Sequence, residues 1–275
     1  MNILTVDVEE WFHLCGVGGQ FDPSHWHALP SRVVETTRRL LGLIDAAGVP
    51  ATFFMVGWVA ERHPALVQEI LAAGHEIGSH GHWHRRVYEF TPDTFAADLN
   101  ACRRAIVDAG APPPTSFRAP EWSINDRVPW ALAVLARQGF SVDASMAPLK
   151  LVGRLDYPRH PHVRTTPSGN IVEIPPFVAD RFGQVMPLGW GWGLRMSSPR
   201  RVLSSIAQAN RRGEPAVLTV HPWEVDPRPP RVWLPPRLMF AHYFRLGGFE
   251  RRLKDIMRGT TFSTLRATAT CAAPS

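Results

Sequence analysis

The chain has 275 residues, a net charge of +6, and 45% apolar against 20% charged residues. That is a globular profile, which excludes a disordered chain and suits one large α/β domain or two ordinary ones. Its longest mostly apolar run, Ala51 to Ala60, is too short to cross a bilayer, and the start Met1-Asn2-Ile3-Leu4 has no secretion-signal pattern, so a soluble, cytoplasmic protein is expected.

In chain order, Asn2 to Val8 reads as a β-branched strand ending in acids, followed by a Gly/His/Pro loop over 14–30. Ser31 is placed to cap a helix that shows Val34, Leu41 and Ile44 on one face and stops at Gly48. A strand over Ala51 to Val56, a helix from Pro64 to Gly74 and a short strand over His75 to Gly78 come next. Thr91-Pro92 caps a helix with Phe95, Leu99, Cys102 and Ile106 at helical spacing. Then follow a strand over Ser116 to Arg118, a helix from about Asn125 to Gln138 and a strand over Phe140 to Asp143. Residues 145–170 read as irregular, before a strand over Ile171 to Ile174 and a long loop holding Gly189-Trp190-Gly191-Trp192-Gly193. Ser198-Pro199 caps a helix ending at Gly213, and Ala216 to His221 closes the strand series. A Pro-rich stretch and a helix near Phe249 to Met257 form the tail.

This β-α alternation predicts an α/β fold with a mostly parallel sheet of about seven strands, a barrel or near-barrel. Asp7, His80, Arg118, Asp143 and His221 all fall at or just past the C-terminal end of an expected strand, the rim where parallel barrels build active sites. The basic residues, 28 Arg and two Lys, are scattered in pairs rather than gathered in a stripe, which argues against nucleic acid. Three distant cysteines, Cys15, Cys102 and Cys271, give neither a disulfide framework nor a zinc-type Cys pair.

Asp7 and Glu9, two apart on a strand, can point to one face. One could bind a metal while the other takes a proton; the plain alternative is an acidic strand end in solvent. His80 and His84, four apart, would share one face of a helical turn and reach one ion, with His82 pointing elsewhere in a structural role. The alternative is a polar turn with solvated imidazoles. Arg118 can hold a carboxylate in fixed geometry, or form a surface ion pair. His221 can serve as a general acid near neutral pH, oriented by Asp143, or be structural. Trp11, Trp83, Trp122 and Trp223 lie beside these motifs and suit sugar stacking or simple shielding.

Taken together, TVDVEEWFH (5–13), GSHGHWH (78–84), FRAPEWS (117–123), DASMAPL (143–149), EIPPF (173–177) and LTVHPWEVDP (218–227) resemble the NodB-type polysaccharide deacetylases, carbohydrate esterase family 4. More narrowly they are similar to the exosortase-associated (PEP-CTERM) subgroup, whose C-terminal extension the tail also resembles. The resemblance implies a distorted (β/α) barrel over 1–225 with an extension over 226–275 packed on it. It also implies a divalent metal, usually zinc, bound by an acid and two His. Carried over residue by residue, Asp7 is the catalytic base, held by Arg118, and His221, oriented by Asp143, is the acid. The backbone N–H of Glu121 is the candidate second oxyanion donor, and Trp11, Trp122 and Trp223, beside the motifs, are the expected substrate-binding residues. The family pattern has an Asp ligand directly after the base. Val8 stands there in this chain, so Glu9 joins His80 and His84 as ligand. The implied function is N-deacetylation of N-acetylhexosamine units in a polysaccharide or lipid-linked oligosaccharide. Peripheral association with a membrane-bound exopolysaccharide assembly system is left open. Two rival readings remain: an amidohydrolase acting on a small cyclic amide, and an inactive carbohydrate-binding or assembly protein.

Overall fold

The computed structural model describes residues 1–14, 21–181 and 183–272. Its strands are β1 (Asn2–Val8), β2 (Ala51–Met55), β3 (Glu76–Ser79), β4 (Ser116–Phe117), β5 (Val142–Asp143), β6 (His162–Thr166), β7 (Gly169–Glu173), β8 (Ala179–Arg181), β9 (Gln184–Met186), β10 (Val217–Val220) and β11 (Phe262–Ser263). The main sheet runs β10-β1-β2-β3-β4-β5-β7-β6, with β11 also paired to β1. From β10 through β7 every pairing is parallel, as the alternation of strands and helices predicts. Past β7 the chain turns back to the far edge, where the Phe177 N–H donates to the Val217 carbonyl at 3.1 Å. The result is a curled, distorted half-barrel.

β1 and β2 are buried along their whole length, because helices cover the sheet on its outer face. α1 (Val33–Ala47) lays Leu40, Leu41 and Ile44 into a core shared with Leu4, Val6, Phe53 and Met55. The helices α2 (Gly57–Arg62), α3 (Pro64–Ala72), α4 (Pro92–Asp108) and α5 (Ala131–Arg137) follow, then α6 (Gly191–Met196) and α7 (Pro199–Arg211). The tail adds α8 (Pro236–Tyr243), α9 (Phe249–Arg258) and α10 (Leu265–Ala272). α9 buries Phe249, Leu253, Ile256 and Met257 in the same core as α1.

Thr91 and Ser198 cap α4 and α7 as expected, each accepting a backbone N–H three residues on. Ser31 does not cap α1. Its hydroxyl donates to Glu10 Oε1 (2.5 Å), and that carboxylate accepts the Arg32 N–H at the helix start (3.0 and 3.2 Å). The helix expected from Asn125 begins only at Ala131. The stretch read as irregular contains β6, an antiparallel partner of β7 across a tight turn, and the second half of the Gly-Trp repeat opens α6. Cys102 is buried and Cys271 exposed, both free, while Cys15 lies outside the described residues.

Candidate metal centre and active site

The carboxyl ends of β1, β3, β4 and β10 bring the rim residues together. Glu9 lies one residue past β1, and His80 directly follows β3. The ligand atoms of Glu9, His80 and His84 all lie within 4.8 Å of one another. Glu9 Oε2 stands 2.6 Å from His84 Nε2 and 3.9 Å from His80 Nε2. His80 Nδ1–H donates to the Arg118 carbonyl at 2.8 Å, which fixes the ring and turns Nε2 toward the carboxylates. Burial raises the Glu9 pKa, but His84, His221 and His80 outweigh it and hold the carboxyl well below its usual range. Burial lowers His80 to about 4, against the pull of Asp7 and Glu9. An ionised carboxylate and a neutral imidazole are the forms that bind a cation, so these residues fit a divalent metal.

The geometric reason for the His pair differs from the expected one. Residues 80–84 form no helical turn; the loop bends at Gly81 (φ +74) and at His84 itself (φ +49). Buried Asp98 of α4 holds this loop, accepting the His82 N–H (2.8 Å) and the Trp83 N–H (3.2 Å). The His82 ring packs against Gly57 and approaches Glu61, away from the three ligand atoms.

Asp7 Oδ1 accepts from Arg118 Nη1 at 3.1 Å. Arg118 is fully buried and also donates to Thr5, Thr219 and the Ala144 carbonyl, so its plane cannot turn. Asp7 Oδ2 is left facing His80 Nε2 and His221 Nε2, 3.9 Å from each.

His221 Nδ1 pairs with Glu224 at 3.1 Å, inside the 3-10 turn Pro222–Val225 that follows β10. Glu224 is the orienting carboxylate, and Asp143 is not. Asp143 and Glu173 are register partners across β5 and β7, so their side chains meet on one face of the sheet. Asp143 Oδ1 accepts from Ser145 (2.6 Å) and Glu173 Oε1 from the Met146 N–H (3.0 Å). Burial lowers the His221 pKa, but Glu9, Glu224 and Asp7 outweigh it and raise it to about 9. Glu224 in turn accepts from Arg195 Nε of α6 (2.9 Å), and Arg195 donates to the carbonyls of Ala241, His242 and Phe244 around the end of α8. The tail is thereby tied to His221 through two buried side chains.

A cleft of about 220 Å³ opens over His221, walled by Glu121, Trp122, Trp190, Trp223 and His242. Glu121 (φ +51) and Trp122 (φ +55) are consecutive left-handed residues that turn the chain sharply into this wall. Trp122 stacks on Trp190 (4.9 Å between ring centres) and shields the Arg118 guanidinium. Trp223 lines the cleft with its ring but also donates from Nε1 to Glu9 Oε1 at 3.0 Å, so it positions the Glu9 carboxylate. Trp11 is no cleft wall: it is buried, donates to the Pro30 carbonyl and packs edge-on against Phe12 and Phe21.

Glu224, Arg195, His242, His13 and Trp190 belong to the site's surroundings and were not singled out from sequence. Glu224 carried a signal, three residues after His221 across a Pro-initiated turn. His13, stacked on His84 at 5.5 Å, closes the first of the quoted motifs and His242, stacked on Trp223 at 4.3 Å, lies in the tail that shares the resemblance, but neither was given a role, because loop and tail geometry bring them to the site.

Residues 21–141 match the family model described as polysaccharide deacetylase, and residues 144–270 match a domain of unknown function, DUF3473. The first segment, similar to polysaccharide deacetylases, holds His80, His84 and Arg118. Asp7 and Glu9 precede it and His221 follows it, so the fold joins both parts into one site. The peptidoglycan-N-acetylglucosamine deacetylase of Bacillus cereus is 33% identical over 92 residues, covering 34% of this chain and 43% of that protein. A chitooligosaccharide deacetylase of Sinorhizobium fredii is 32% identical over 117 residues, covering 39% of this chain and 51% of that one. The chain thus spans about half the length of these relatives or less. A putative polysaccharide deacetylase from Mycobacterium smegmatis shares the fold, with a TM-score of 0.64 at 22% identity over 98% of this chain and 90% of that one.

Proposed function

We propose that the protein is a metal-dependent hydrolase that removes acetyl groups from N-acetylhexosamine units of a polysaccharide or its lipid-linked precursor, in the manner of the exosortase-associated deacetylases of exopolysaccharide biosynthesis. The observation that carries this reading is the convergence of Glu9, His80 and His84 between an Arg118-held Asp7 and a Glu224-held His221. An ion held by Glu9, His80 and His84 would polarise an acetyl carbonyl and favour ionisation of the attacking water, and two imidazoles with one carboxylate suit zinc. Asp7 accepts the proton of the attacking water at Oδ2, its other oxygen being engaged by Arg118. The backbone N–H of Glu121 donates to the developing oxyanion from the cleft wall. His221 delivers a proton from Nε2 to the departing amine while Glu224 keeps Nδ1 protonated and the ring fixed. Trp122 and Trp190 together wall the cleft in which a sugar would sit.

The test is elemental analysis of the purified protein, then acetate release from chitooligosaccharides and from peptidoglycan after zinc loading. Bound metal and acetate release are expected, with His84→Ala losing both and His82→Ala keeping the metal. Activity on small cyclic amides with none on sugars would move the chain to the amidohydrolases. Metal-free protein inert on both would leave a carbohydrate-binding role. We place its action on the cytoplasmic side, and recovery in the periplasm after cell fractionation would overturn that placement.

A further inference from the structure

We propose that residues 228–244 of the tail form a docking surface for an anionic lipid bilayer, seating the cleft at the membrane. Among the described residues nine large apolar side chains are exposed, and four of them, Trp233, Leu238, Phe240 and Phe244, fall within twelve residues of this segment. Single exposed apolar residues are ordinary, but a cluster marks a contact site. The chain carries no acid between Asp226 and Glu250, and the segment holds Arg228, Arg231 and Arg237, with Arg245 just beyond it, all exposed. Aromatic rings interleaved with guanidinium groups match the boundary between acyl chains and phosphate headgroups. Trp233 projects with 76% of its surface exposed, which suits insertion between headgroups better than docking on a rigid protein face.

The patch is built to stay in place. The Tyr243 hydroxyl donates to the Pro230 carbonyl (2.9 Å) and accepts the Val232 N–H (3.1 Å), fastening the Pro-rich loop to α8. Phe240 stacks on Phe244 at 4.4 Å, and Arg195 clamps the end of the helix. The segment also faces the site, since Leu234, Ala241 and His242 line the cleft, with the exposed Leu238 at its rim. One element therefore presents its inner side to the active site and its outer side to a surface. No helix of the described residues is long and apolar enough to cross a membrane, so the contact is peripheral.

This inference deepens the function proposed above and rests on it only for the substrate. The experiment is co-sedimentation of the full chain with vesicles of phosphatidylcholine alone and of phosphatidylcholine mixed with phosphatidylglycerol, alongside acetate release from a soluble chitooligosaccharide. The wild type should bind the anionic vesicles and not the neutral ones. The double variant Trp233→Ser/Phe240→Ser should bind about tenfold more weakly or worse, the effect of withdrawing two buried aromatic rings. Arg228→Glu/Arg237→Glu should lose the preference for anionic lipid. Both variants should keep wild-type rates on the soluble substrate. Wild-type protein that stays in the supernatant overturns the proposal, as does vesicle binding that neither variant weakens. A wild-type dimer that Trp233→Ser/Phe240→Ser dissociates, with no vesicle binding, overturns it in favour of a contact between copies of the chain. Vesicle binding without activity on any N-acetylated sugar would leave the docking surface standing and remove the deacetylase reading instead.

Discussion

Asp7 and Glu9 both reach the same small space, but their partners differ, and that difference separates their proposed roles. Asp7 is held through one oxygen by Arg118, whereas Glu9 meets three imidazoles and the Trp223 N–H. Asp7→Asn should therefore retain metal while losing about 10²–10⁴-fold in rate, the usual worth of a positioned base. Glu9→Ala should lose metal after dialysis as well as activity, and metal stoichiometry beside acetate release reads both; Glu9→Ala protein with full metal would remove it from the ligand set. Asp143 and Glu173 give a second residue-scale prediction. Burial raises both carboxyls, and Glu173 well above its ordinary value, with Asp143 beside it pushing it further. Asp143 Oδ2 and Glu173 Oε2 have no hydrogen-bond donor, so a proton shared between the two carboxyls satisfies both. The folded chain then binds a proton that the unfolded chain releases. Stability from this pair is present below the ordinary carboxyl range of about 4–4.5 and declines as pH rises through the folded value. Glu173→Gln, which donates without ionising, should flatten that decline in denaturant titrations at acidic and alkaline pH. An unchanged pH slope would show that no proton is shared.

At the level of elements, strand ends were the readable part of the sequence. The β-α rhythm and the polar residues closing each strand placed Asp7, His80, Arg118 and His221 on one rim, and all four meet there. Asp143 shows the limit of that reasoning. It also closes a strand, but its register partner in β7 is an acid, and a pairing partner cannot be read from one strand alone. His80 and His84 were paired by helical spacing, yet a bent loop held by Asp98 brings them together. The Gly-Trp repeat misled for a different reason. Its glycines read as loop punctuation, but in α6 they are needed for close approach. A Cβ on Gly191 would overlap the Glu224 carboxylate, and one on Gly193 would overlap the Pro187 carbonyl. Gly191→Ala should therefore displace Glu224, free the His221 ring and cut acetate release by at least about tenfold, with metal content unchanged. Wild-type activity in Gly191→Ala protein would show that Glu224 does not need its present position.

Considered as a whole, the tail is part of the barrel's structure rather than an appendage. α9 buries an apolar face in the core shared with α1, β11 adds a rung to β1, and α8 is held by Arg195. Leu253→Ala should cost about 2–5 kcal/mol in chemical denaturation, the range for a buried Leu. A cost below 1 kcal/mol would mean that the tail docks only loosely. The placement of β1 between β10 and β2 has a further consequence, for the order in which the molecule assembles. Its neighbours are β2, roughly fifty residues on, but also β10, where Ile3 meets Val217, and β11, where Asn2 meets Phe262. Contacts between such distant stretches are slow to form because a long intervening chain must first be ordered. During synthesis the first strand has to wait, flanked on one side only, until more than two hundred further residues have emerged. Asp7 and Glu9 emerge more than two hundred residues ahead of His221, so a nascent chain should gain its tertiary protection from proteolysis in one late step, after β10 arrives.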